Sequence, residues 1–174
     1  MIVYEVLFNV IGWQFTLDWG SNDRAGAWAA YQNGIAAAQK AVDLQPDKPD
    51  YWQLLQAAHL DVGLSVSYWE DADAPWRARA RAALRAAADA SRKSIEKDPE
   101  LPKLKGYFEQ IATSLSAAAE LMEKDSLRDD AARAYVEACA ALDHASALTV
   151  ETTAKSKDTD EIQALRQRCA ANRH

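Results

Sequence analysis

The 174-residue chain is 49% hydrophobic and 26% charged, with six glycines, five prolines and a net charge of -6. That is enough length for one domain with a real core, and too little for two of ordinary size. The acidic balance, with a pI near 5.1, argues against a dedicated nucleic-acid binder.

The first twenty residues differ from the rest. Trp13 to Trp19 (WQFTLDW) alternates strictly, with Trp13, Phe15, Leu17 and Trp19 on one side, the period of a strand with one buried face. Upstream, IVYEVLF is rich in β-formers and Asn9 to Gly12 supplies a turn, so a small β-hairpin or extended element over 1–20 is expected. The apolar start lacks a positive n-region and an A-x-A-like cleavage site, and Glu5 and Asn9 interrupt it, so neither a signal peptide nor a membrane span is expected.

From Ser21 onward the period becomes helical, and residues 21–148 read as five long helices. The first runs to about Gln45 behind a Ser21, Asn22 or Asp23 cap, with Trp28, Tyr31, Ile35, Ala38 and Val42 on one stripe. Pro49 suits the first turn of the second, capped by Asp47, whose stripe is Trp52, Leu55, His59, Val62, Val66 and Trp69. The third, about Trp76 to Lys97, is alanine-rich and suited to close approach of neighbours. The fourth carries Leu104, Tyr107, Phe108, Ile111, Leu115, Ala118 and Met122. The fifth, after Asp125 or Ser126, carries Leu127, Ala131, Ala134, Tyr135, Ala138, Leu142 and Ala145. A polar loop precedes a short helix over 160–171, so the whole chain, 1–174, reads as a single helical domain.

QKAVDLQPDKPDYWQLL (Gln39 to Leu55) reappears 53 residues later in RKSIEKDPELPKLKGYF: Val42 meets Ile95, Pro46 meets Pro99, Pro49 meets Pro102 and Leu55 meets Phe108. KAVDLQP (Lys40 to Pro46), with Gly34 and Ala41 at small positions and Trp52 and Leu55 opening the next helix, resembles the tetratricopeptide repeat family around residues 31–58 and 85–111. That resemblance implies stacked antiparallel helical hairpins and a role in binding peptides. Gln56 stands where the family has glycine, and the offset exceeds the family period of about 34 residues. The fold class expected is therefore all-α, in tetratricopeptide-like or bundle-like hairpins.

Charge is uneven. Residues 74–106 carry a net +5 between flanks of -7 and -4. Arg77, Arg81 and Arg85 recur every four residues as one positive stripe, read either as pairing with neighbouring helices or as a docking face for an acidic partner. Cys139 and Cys169 belong to no CxxC and fall on apolar faces, so buried free thiols in a reducing, cytoplasmic setting are expected.

No ExxH, HExxH, GxSxG, GxGxxG or P-loop motif occurs, so no metal, cofactor or catalytic residue is indicated. The aromatic distribution is the informative feature: twelve of fifteen aromatics, including all six tryptophans, lie in the first 76 residues. Trp13, Trp19, Trp28, Trp52, Trp69 and Trp76, with His59 on the same stripes, are either core or a binding surface rimmed by acids. The reading is a non-catalytic interaction module that binds a protein or peptide, a basic one by charge, or its own copy as a homodimer. Nucleic acid and membrane are not expected partners. A small-molecule-binding bundle with a tryptophan-lined pocket is the alternative, and an enzyme built from scattered acids and His59 the third.

Overall fold

A computed structural model describes residues 23–67, 72–99, 104–149 and 160–171. The expected β-hairpin, and with it Trp13 and Trp19, lies outside the described residues, as does Trp69. Those that are described form helices only: α1 (Arg24–Leu44), α2 (Pro49–Ser67), α3 (Ala74–Lys97), α4 (Leu104–Lys124), α5 (Arg128–Thr149) and α6 (Asp160–Ala171). None of them is long and apolar enough to cross a membrane.

Local chemistry sets the helix ends. Asp23 caps α1 by accepting from Gly26 N at 2.9 Å, and Asp73 caps α3 by accepting from Trp76 N at 3.1 Å. The proline joint between α1 and α2 is held by Trp52, whose Nε1 donates to Pro46 O at 2.8 Å. Asp47, expected to cap α2, instead accepts from Lys97 Nζ at 2.8 Å, linking the joint to the end of α3.

The turn between α4 and α5 corrects another expectation. Ser126 adopts a positive φ of 61°, Leu127 N donates to Met122 O at 2.8 Å and Ser126 N to Glu123 O at 3.0 Å. This is a Schellman termination with serine where glycine is usual. Leu127 therefore belongs to the turn rather than to the α5 stripe, and it is 40% exposed instead of buried.

α2 and α3 run antiparallel. At one end Ser94 Oγ donates to Pro49 O at 3.2 Å, and at the other Gly63 backs directly onto Leu84. α4 and α5 form the second tight hairpin, with Phe108 stacked on His144 at 5.2 Å between centroids. α4 also lies against both α2 and α3. One core cluster runs through α2 to α6 and includes Val66, Leu84, Ile111, Leu115, Leu121, Leu142, Ile162 and Leu165. α1 joins smaller clusters instead, Ala38, Ala41 and Val42 with Tyr51 and Leu55, and Ala27 and Ala30 with Val62.

The core is narrow because its layers are built from alanine and serine. Ala80, Ala87, Ala88, Ala112, Ala118 and Ala119 are fully buried, and so is Ser114. Gln56 is buried too, and its Nε2 makes no hydrogen bond among the described residues.

Candidate functional site

Trp28, Tyr31, His59 and Trp76 meet in one cluster where α1, α2 and the start of α3 converge. The rings of Trp28 and Trp76 stand edge to face, 5.7 Å between centroids, and Tyr31 lies 4.8 Å from Trp28. Such tilted and edge-on geometries match the ring quadrupoles. All four residues are half-buried.

The polar tips of the cluster satisfy one another. Tyr31 OH and His59 Nδ1 share a hydrogen bond of 2.9 Å. Burial lowers the His59 imidazole from 6.5 to about 4 and raises the Tyr31 phenol to about 12.

Arg79 completes the site. One turn beyond Trp76 on α3, its guanidinium lies 4.9 Å from the ring centroids of both Trp28 and Trp76. Arg79 is exposed, and its N–H groups make no hydrogen bond among the described residues. A guanidinium held over aromatic rings can still donate from its N–H groups, so the cluster offers a cationic hydrogen-bond donor in an aromatic frame.

Three of the expected site residues, Trp28, His59 and Trp76, are thus brought together. Trp52 is not among them, since it pins the proline joint. The stripe Arg77, Arg81 and Arg85 divides. Arg77 Nε donates to Asp125 Oδ1 at 2.6 Å and Arg81 Nη1 pairs with Asp125 Oδ2, tying α3 to the end of α4, while Arg85 is exposed. Burial pushes the Asp125 carboxyl up, but hydrogen bonds and charges from the two arginines outweigh it and hold the group below its ordinary value. The basic segment is further spent on Arg92 with Glu137 and Lys97 with Asp47.

A second feature lies along the last two helices. A groove of about 1010 Å³ runs along α5 and α6, lined by Arg128, Tyr135, Val136, Cys139, Arg168 and Cys169 among others. Its lining contains no tryptophan. Val136 is 70% exposed on its wall. Arg168 stacks 4.5 Å from the Tyr135 centroid and donates to its hydroxyl, which lies 3.3 Å from Glu123 Oε2.

Cys139 and Cys169 are joined in a disulfide, Cα to Cα 5.6 Å, which corrects the expectation of free thiols. The bond forms because α6 folds back onto α5, a contact that no local spacing announces, and it removes the thiol-based ground for a reducing compartment. Arg79 and Tyr135 were likewise missed as site residues. The signal for Arg79 was its i+3 spacing from Trp76. For Tyr135 there was none, because its partners Glu123 and Arg168 come from other helices. Compared with known protein families, characterised proteins and solved structures, the chain matches none.

Proposed function

We propose that the protein is a non-catalytic helical interaction module that receives a segment of a partner protein at the Trp28, Trp76 and Arg79 cluster. The observation that carries this reading is the exposed Arg79 guanidinium held against two tryptophan rings, with no hydrogen bond to the other described residues. Tryptophan, tyrosine and arginine are the side chains that most often dominate binding energy at protein interfaces. Here they are in mutual contact and only half covered.

The arrangement also changes the partner's expected chemistry. A basic segment would place its cation over the tryptophan faces, where Arg79 already lies. A carboxylate, by contrast, can accept two parallel hydrogen bonds from the guanidinium while an apolar neighbour packs on the exposed ring edges. The proposed partner therefore presents an acidic side chain beside an aromatic or aliphatic one. The acidic-partner reading of the basic middle segment survives, moved from Arg77 and Arg81, which are engaged with Asp125, to Arg79.

The hairpins support a repeat-like scaffold for this role. α2 with α3 and α4 with α5 are successive antiparallel pairs, and α4 touches both members of the first, as stacked tetratricopeptide-type units would.

The test is a peptide array with acidic-aromatic, basic and neutral segments, followed by titration of the retained peptides. Acidic-aromatic peptides should bind, weaken as salt rises, and lose at least tenfold in affinity with Arg79→Ala. Arg79→Lys should lose most of the binding too, because a point charge lacks the fork. Preference for basic peptides, or indifference to Arg79→Ala, would sink the proposal.

A further inference from the structure

The groove beside α6 carries an inference independent of the aromatic cluster. α6 is a 12-residue helix at the edge of the fold. Isolated helices shorter than about 12–15 residues are marginal in water. Among the groups that hold α6, Ile162 and Leu165 are buried, Arg166 Nη1 donates to Ser146 Oγ at 2.5 Å, and Arg168 meets Tyr135 and Glu120. One attachment is covalent, Cys139 to Cys169.

The two ends of that bond differ in access. Cys169 is 5% exposed, whereas Cys139 is half-buried, and both line the open groove. Glu123, Arg128, Asp143 and Arg168 line the same groove, so the disulfide faces a polar wall of balanced charge that water and a small reductant can enter. A reductant entering here meets the less buried end of the bond, Cys139.

We propose that the Cys139–Cys169 disulfide is a redox latch, opened through this groove by a dithiol reductant, whose reduction releases α6 from α4 and α5. The step is ordinary thiol–disulfide exchange. The reductant's thiolate attacks Cys139 Sγ, forming a mixed disulfide and expelling Cys169 as thiolate. The reductant's second thiol then attacks its own sulfur in the mixed bond and frees Cys139. Two electrons pass from the dithiol, which leaves as a disulfide, and its two protons end on the protein thiols.

Release alters a defined surface. Leu165 shares a depression with Leu64 and Ser67 of α2 and with Thr113, Ala117 and Glu120 of α4. With α6 detached, that face loses its cover, while the Arg77 and Arg81 pairs with Asp125 and the α2 to α5 core remain.

Amide hydrogen exchange on the full-length chain, oxidised and then treated with dithiothreitol without denaturant, tests the latch. Thiol labelling of the same samples should show both cysteines becoming reactive in the folded state. Protection over 160–171 should then fall at least tenfold, while that of 104–124 is retained. Unchanged protection over 160–171 in the reduced chain would overturn the proposal, as would cysteines that stay unreactive until urea unfolds the protein. Cys139→Ser must reproduce the reduced pattern, and the oxidised pattern in that variant is equally fatal. Should the variant not fold, the reduced wild-type chain decides by the same readout.

Discussion

Tyr31 OH and His59 Nδ1, 28 residues apart in the chain, sit 2.9 Å apart and complete each other's hydrogen bonding inside an aromatic cluster. The imidazole is held neutral, with its value lowered from 6.5 to about 4 by burial. The unfolded chain therefore binds a proton more readily than the folded one as the pH falls below 6.5. Stability from this group is complete above pH 6.5, declines as the pH drops towards 4, and levels off below. The total loss is expected to reach about 3 kcal/mol. Urea unfolding followed by tryptophan fluorescence at several pH values measures the slope, and His59→Gln should flatten it.

The Gly63 position tests how tightly α2 and α3 approach. A Cβ there would collide with Leu84 Cγ and lie 2.6 Å from its Cδ2, and Leu84 is fully buried. Gly63→Ala should cost about 1–3 kcal/mol by overpacking. Gly106→Ala, where an added Cβ meets nothing within 4 Å, should stabilise α4 by up to about 1 kcal/mol. Chemical denaturation of the two variants side by side gives the comparison.

Ser126 carries the positive φ of the turn between α4 and α5. Glycine adopts that conformation without the clash of a Cβ, so Ser126→Gly should raise stability by roughly 0.5–1 kcal/mol. A shift of the urea midpoint with an unchanged slope would show it. No gain would mean that the serine relieves the strain locally.

Asp125 receives both Arg77 and Arg81 and is largely shielded, its side chain 12% exposed. Asp125→Asn removes the charge while keeping the shape, and should cost about 2 kcal/mol by leaving two half-buried guanidiniums poorly partnered. The carboxyl is held below its ordinary value of 3.8, so its contribution is present above that pH and is lost as pH falls through the folded value. The acid limb of the wild-type stability curve should therefore be steeper than that of the variant.

Much of this architecture was legible in the chain because local rules coincide. The spacing of three and four that placed Leu55, Val62 and Val66 inside α2 is a property of the helix itself, and all three are buried. The cap at Asp23 and the prolines of the joint are similarly local. The basic stripe was legible as a stripe, but its target was not, since Asp125 reaches Arg77 and Arg81 only through the register of α3 on α4. Trp28 and Trp76 were both singled out, yet their contact depends on how α1 crosses the start of α3. Leu127 failed for the opposite reason: a good apolar residue in the right phase was taken by the turn that precedes the helix.

α1 brings Trp28 and Tyr31 to the aromatic cluster but contributes nothing to the main core, which begins at α2. Opening of such an edge element is governed by its own few contacts and not by the free energy of the whole chain. Detachment of α1 would dismantle the cluster while leaving α2 to α6 folded. The working lifetime of that surface is thus a local property, tunable by changes in α1 alone that would leave the global midpoint of unfolding almost untouched.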